Sequence, residues 1–177
     1  MSKDTKVVTG KVRLSYANVW EAKALSDGQK PKFSTSIIIP KEDSETIAKI
    51  EKAIECAISE GISKFGGKKP NIKAIKTPLR DGDIEREDDE AYKNSYFLNA
   101  NSFTAPQIVD RNIQPILDRS EVYSGCYARV SLSFYAYNSN GNKGVACGLG
   151  NIQKVADGEL LGGKTNASDD FGTDDLL

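Results

Sequence analysis

The sequence predicts a mainly β domain that carries one inserted amphipathic helix and ends in a flexible acidic tail. Three observations lead there. Several stretches alternate apolar and polar residues with the period of two of a strand, one stretch repeats its apolar residues every three or four positions, and the acids gather into two blocks. The domain is assigned to residues 1–160 and the tail to residues 161–177.

The first strand runs through KVRLSY, with Val12, Leu14 and Tyr16 on a dry face and Lys11, Arg13 and Ser15 on a basic one. Trp20 follows and is placed among the exposed aromatics. Asp27-Gly28 and Pro31 mark a turn. KFSTSIII then alternates again, Phe33, Thr35, Ile37 and Ile39 against Lys32, Ser34 and Ser36. Asp43 or Ser44 can cap a helix and Glu45 suits its positive end. Ile47, Ile50, Ile54, Ala57 and Ile58 recur at helical spacing, so a helix is expected over about 44–63, stopped by FGGKKP.

A short strand with Lys73 and Lys76 follows, then Arg80, then the block DGDIEREDDE, whose charge predicts a mobile loop. NSYFLNANSF reads as a strand from about Tyr96 to Phe103, and the next stretch, with two prolines, as a long connection holding a helical turn. The clearest β signal is CYARVSLSFYAYNSNGNKGVACGLGNIQKV. Ala128, Val130, Leu132, Phe134 and Ala136 face inward, Asn140-Gly141 makes the turn, and a second strand resumes near Val145. Past Val155 small and acidic residues take over, and the folded body should end near residue 160.

The 24 basic and 25 acidic residues are unevenly spread. Residues 166–177 hold four acids and no base, and the block from Asp81 to Glu90 holds seven acids and only Arg86. Without both segments, 23 basic residues stand against 14 acidic ones. A basic body with two acidic appendages suits a polyanionic partner. No apolar run approaches the ~20 residues of a membrane helix, and the opening MSKDTK has no signal-peptide core. A cytoplasmic protein without membrane contact is therefore expected.

The chain has no histidine, and Cys56, Cys126 and Cys147 are far apart without a CxxC. Reduced, mostly buried thiols are expected, with neither disulfides nor zinc. GISKFGGKK lacks the lysine and hydroxyl of a phosphate loop and closes a helix where such a loop would open one. GLGNIQ lacks the third glycine of a dinucleotide fingerprint. No nucleophile and base are paired, so no catalytic, metal or cofactor residue is assigned.

On the outer face of the predicted hairpin, Tyr127, Arg129, Ser131, Ser133, Tyr135 and Tyr137 point the same way. Two readings stay open. The rings pack beneath a second layer such as the long connection, or they receive single-stranded nucleic acid, whose bases stack on aromatic faces for ~1–3 kcal/mol each while cations hold the phosphates.

TPLRDGD (Thr77 to Asp83), NSYFLNANS (Asn94 to Ser102), PQIVD (Pro106 to Asp110), EVYSGCYARVSLSFYAY (Glu121 to Tyr137) and GNKGVACGLGNIQKV (Gly141 to Val155) occur in this order. Together they resemble a phage family of single-stranded DNA-binding proteins, over roughly Lys6 to Gly163. The resemblance implies an OB-type β-barrel with insertions, similar to the replication ssDNA-binding proteins of short-tailed phages. It implies a protein that coats ssDNA without sequence specificity in replication, recombination and repair, without catalysis. A standard OB-fold carries its helix between the third and fourth strands. Here the helix follows the second, so either a strand lies unread within residues 17–31 or the barrel is elaborated.

The DNA-binding residues assigned from strand alternation and charge are Lys11, Arg13, Trp20, Lys32, Lys73, Lys76, Arg80, Tyr127, Arg129, Tyr135 and Tyr137. Tails of such proteins are typically acidic and end in an aromatic residue. That implies a segment, Asp169, Asp170, Phe171, Asp174, Asp175, Leu176 and Leu177, that recruits replication proteins such as a DNA polymerase or helicase and competes with DNA. This tail departs in placement, with Phe171 inside and Leu176-Leu177 at the end. Related proteins also act as dimers, so a homodimer is among the implied assemblies. Two other classes stay open: a Mg²⁺-dependent DNA-processing enzyme using the Asp81–Glu90 carboxylates, and a protein-interaction module without nucleic acid.

Overall fold

The computed structural model of the chain describes residues 3–24 and 26–161. Its strands are β1 (Lys6–Val8), β2 (Val12–Lys23), β3 (Lys32–Pro40), β4 (Arg80–Asp81), β5 (Ser95–Ser102), β6 (Ile108–Val109), β7 (Tyr127–Ser139) and β8 (Asn142–Ala156). β2 pairs β3, β3 pairs β5, β5 pairs β8, β8 pairs β7, and β7 returns to β2. Five strands therefore close a barrel of the OB type, with β5–β8 its one parallel seam. β1 extends the sheet beside β7, and β6 lies parallel to β8.

Leu14, Ile37, Ile39, Leu98, Val130, Leu132, Phe134 and Ile152 fill the barrel. The helix α1 (Ser44–Glu60) covers it with Ile50, Ile54 and Ile58. Each such side chain contributes ~1.5–3 kcal/mol of burial. Asp43 is the cap: its carboxylate accepts the Thr46 N–H at 3.1 Å and the Thr46 hydroxyl at 2.7 Å. α1 stops at Gly61, where a Cβ would collide with Ala136 of β7, and a 3₁₀ turn follows at Ile62–Phe65. The helix lies between the second and third barrel strands, as the sequence places it. Among the described residues of 17–31 no separate strand intervenes. β2 itself runs on to Lys23, so the barrel is the elaborated alternative.

The hairpin is as expected. Asn140 (φ 52°) and Gly141 (φ 85°) form a two-residue turn that joins Ser139 to Asn142. Cys126 and Cys147 are buried free thiols, their ionisation suppressed by burial, and Cys56 is half-buried.

Three expectations need correction. Tyr16 does not join the dry face. β2 bulges between Ser15 and Asn18, Tyr16 takes a φ of 46°, and the ring turns out to 58% exposure while Ser15 is buried. The stretch around Lys73 and Lys76 is not a strand. It is a 3₁₀ turn at Ile72–Ala74 and a single bridge from Lys76 to Gly144.

The acidic block is not a free loop. It folds as β4, the short helix α2 (Gly82–Glu85) and a 3₁₀ turn at Glu90–Tyr92, an arm laid against the outer face of β3 and β5. Tyr92 is its anchor. The ring is fully buried with Ile38 and Phe97, meets Phe97 edge-to-face at 5.1 Å, and donates its hydroxyl to Ser36 Oγ at 3.0 Å. Lys41 grips Asp81 and Asp83 at 2.9 and 2.8 Å. That ammonium, with the Asn94 N–H, holds the Asp83 carboxyl below the usual carboxylate range. β3 is consequently buried on both faces, a result that alternation of Ser34 and Ser36 with Thr35 and Ile37 conceals.

After β8, residues 157–161 return across the barrel end. Tyr123 Oη accepts the Gly158 N–H at 3.1 Å and donates to the Gly158 carbonyl at 3.0 Å. The Leu161 N–H bonds the Ser124 carbonyl, and its side chain packs on the Ile38–Tyr92–Phe97 cluster.

Candidate nucleic-acid interface

The residues singled out for DNA binding separate into three places. At the start of β7, Tyr127 pairs in register with Arg13 of β2. The Lys11 ammonium lies 5.2 Å and the Arg13 guanidinium 5.5 Å from its ring centre. Arg13 also holds structure together: Nε donates to the Gly125 carbonyl and Nη2 to the Glu159 carbonyl. Arg129, two residues along, donates to the Thr9 carbonyl and is otherwise exposed.

Eight residues further on, about 26 Å along the strand, stand Tyr135 and Tyr137. Their cross-strand partners are small: Tyr137 faces Gly144 and Tyr135 faces Ala146. A Cβ at Gly144 would meet the Tyr137 hydroxyl and the Lys76 carbonyl. The ring thus lies across β8, next to the segment that carries Lys73 and Lys76. Burial of one side raises the Tyr135 phenol, which stays a neutral ring.

The third place was only half legible. Lys32 and Lys30 lie 4.8 and 4.9 Å from the ring centre of Phe103, which is 56% exposed. In the sequence Phe103 stands only as the end of a strand. Its cationic partners are Lys30 of the β2–β3 turn and Lys32 at the start of β3, brought to it by the pairing of Phe33 with Ser102.

Two assigned residues serve the fold. Trp20 packs half-buried on the core, and its indole N–H donates to the Val122 carbonyl at 3.0 Å. Arg80 sits in β4 opposite Phe97 and bonds Glu85 at 3.3 Å. The tail residues Asp169, Asp170, Phe171, Asp174, Asp175, Leu176 and Leu177 lie outside the described residues.

Between the arm and the exposed part of β3–β5 runs a cleft of about 350 Å³. Tyr16 and Arg86 form its rim. Arg86 stacks on three rings, 5.3 Å from Tyr16, 5.2 Å from Tyr92 and 5.7 Å from Phe97, and donates to the Tyr16 hydroxyl at 3.4 Å. An aromatic residue at positive φ costs on the order of 1–3 kcal/mol and persists only where its surroundings enforce it.

Among the described residues no group of three or more His, Cys, Asp or Glu is placed to hold a metal ion, and no helix is long and apolar enough to cross a membrane. Asp81 and Asp83, the carboxylates weighed for Mg²⁺, are both taken by Lys41.

A closed OB-type barrel whose outer surface carries aromatic rings beside cations defines a nucleic-acid-binding module. Known proteins sharpen that class. A family model described as the ssDNA-binding protein of Enterobacter phage Enc34 matches residues 5–176. The protein p50 of Acyrthosiphon pisum secondary endosymbiont phage 1 is 32% identical over 182 residues, covering 97% of this chain and 94% of p50. The chain belongs to the Enc34 ssDNA-binding protein family, a family of binding proteins and not of enzymes.

Solved structures share the fold. The ssDNA-binding protein of bacteriophage Enc34 in complex with ssDNA superposes with a TM-score of 0.78 at 21% identity, over 90% of this chain and 91% of that one. The gp2.5 ssDNA-binding protein encoded by bacteriophage T7 superposes with a TM-score of 0.62 at 14% identity, over 94% and 93%.

Proposed function

We propose that the chain coats single-stranded DNA without sequence preference during phage DNA replication, recombination and repair in the host cytoplasm. The observation that carries this reading is the repeated pairing of an accessible ring with cations on one barrel: Tyr127 with Lys11 and Arg13, and Phe103 with Lys30 and Lys32. Every base has a face to stack, so rings flanked by cations hold any sequence. Family membership supports the same reading.

Fluorescence titration with oligo-dT against duplex DNA of equal length tests it. Tight binding of the oligomer alone is expected, weakening with salt by roughly 0.7 counterions per phosphate contact. No detectable ssDNA binding at low salt overturns the proposal. Replacing both Tyr135 and Tyr137 by Ala is expected to weaken binding by ~1–3 kcal/mol for each stacked base lost.

The reading extends to the chain past Leu161, which itself packs on the barrel, as a separate tail that recruits a replication protein, a polymerase or helicase, and competes with DNA for the basic surface. Residues 166–177, with four aspartates and no base, motivate this. Truncation after Lys164 is expected to raise ssDNA affinity at low salt and to abolish partner capture. Unchanged affinity removes the competition.

A further inference from the structure

The connection after β6 carries an apolar tip. Asp110 builds it: its N–H donates to the Gln114 carbonyl at 2.9 Å, and its own carbonyl accepts the Ile113 N–H at 3.0 Å. Its carboxylate accepts the N–H groups of Asn112 and Gln114 at 2.8 and 3.0 Å. The turn holds Ile113 at a φ of 62°. A β-branched residue there is an outlier, in a conformation that glycine or asparagine adopts far more readily. Such strain persists only where the surroundings enforce it. Its effect is display, since Ile113 is 71% and Leu117 89% exposed.

An apolar groove lies between α1 and residues 72–79. Ile54, Ile72 and Leu79 line about 520 Å³ there, within the ~300–1,000 Å³ of binding sites. Its charged rim is Glu51, Lys52 and Glu55. Glu55 is taken by Lys69 at 3.3 Å, while Glu51 and Lys52 make no ion pair with any described residue. The tip is charged in the opposite sense. Arg119 is taken by Glu21 at 2.8 Å, while Arg111 and Asp118 are exposed and make no ion pair with any described residue. Each feature thus offers one cation and one acid to a mate.

One molecule cannot join its own two halves. Lys76, beside the groove, bridges Gly144 of β8, and Ile108, at the base of the tip, pairs with Ile152. Those β8 positions are eight residues apart, about 26 Å along the strand. Separate copies can join them. A contact between two different patches is heterologous, and it repeats from copy to copy unless its rotation closes a ring.

We propose that copies of the chain dock head to tail along single-stranded DNA, Ile113 and Leu117 of one copy entering the Ile54–Ile72–Leu79 groove of the next. Arg111 then meets Glu51, and Asp118 meets Lys52. The proposal rests on the ssDNA-binding reading above for what gathers the copies. Two inserted side chains hold only where neighbours are already tethered to one strand.

The test titrates the full chain with two dT oligomers, one that holds a single copy and one that holds several. Wild type is expected to bind the long oligomer cooperatively and the short one as a single site. Arg111→Glu and Glu51→Arg should each abolish cooperativity and weaken binding to the long oligomer several-fold, because like charges then face each other. Unchanged affinity for the short oligomer shows that both variants fold. Combining them restores an opposite pair between neighbours and should restore cooperativity. Ile113→Gly separates display from architecture. It relieves the turn, so its melting temperature is expected to hold or rise while cooperativity falls. Non-cooperative binding by wild type overturns the proposal, as do single variants that keep wild-type cooperativity or a double variant that stays non-cooperative. Absence of any ssDNA binding by wild type defeats the underlying function instead, so the two failures are separable.

Discussion

The outer face of β3–β5 has two halves with opposite fates. At Ile38 and Phe97 it is dry, sealed by Tyr92 of the acidic arm. Four residues earlier along β3, at Ser34 and its partner Asn101, the same face is polar and opens on the cleft. Same strands, same register, same side: what differs is the covering. A sheet face becomes core or cleft according to what is laid over it. Here one segment does both, burying Tyr92 on one side and holding Arg86 over the other.

The largest way to break this contrast is Tyr92→Ala. Removing a fully buried ring costs ~3–5 kcal/mol, read as a lower urea midpoint, and exposes Ile38 and Phe97. An unchanged midpoint would show that the arm is held by something else. Gly82→Ala comes next. The added methyl would run into the Tyr92 and Ser95 carbonyls, and such overpacking costs ~1–3 kcal/mol. Thermal denaturation should show the drop without loss of the barrel's β signal.

Tyr92→Phe is milder. It keeps the ring and loses the hydroxyl that donates to Ser36, about 1 kcal/mol. Binding of oligo-dT should change little, because the ring still holds the arm in place.

Lys41→Met is the smallest and carries a pH signature. Because Lys41 holds Asp83 below its ordinary value, the stability it lends is present above the unfolded carboxylate range and lost as pH falls through the lower folded value. Wild type and variant should therefore differ slightly near neutrality and converge in acid. A gap that widens on acidification would contradict the pairing.

Where local pattern and tertiary fold agree, the chain could be read directly. α1 was announced by Asp43 and the isoleucine spacing, and the β7–β8 hairpin by strict alternation and Asn140-Gly141. Tyr16 was misread because a bulge reverses facing from one residue to the next, and nothing in VRLSYAN marks it. The arm was misread because seven acids outweighed its anchors, Gly82 and Tyr92, whose burial depends on partners ten or more positions away or on another strand. The tyrosine row was legible as a row. That it divides between two ends of a long strand, with Arg13 turned to structural use, depends on β2 and on residues 157–161. Trp20 looked like a base platform because exposure past a strand end is a fair default, yet the long connection folds back to claim its N–H.

The crossing at Tyr123, Gly158 and Leu161 also has a polymer consequence. It fixes the point from which the remaining sixteen residues depart, on the wall of the groove shared with Tyr16 and Asn18. Sixteen residues reach at most about 55 Å, so anything on the barrel they meet is met at an effective concentration on the order of millimolar. On the tail reading proposed above, the same peptide added free in solution would need that concentration to compete with DNA, which a chain cut after Leu161 and supplied with the peptide in trans would test.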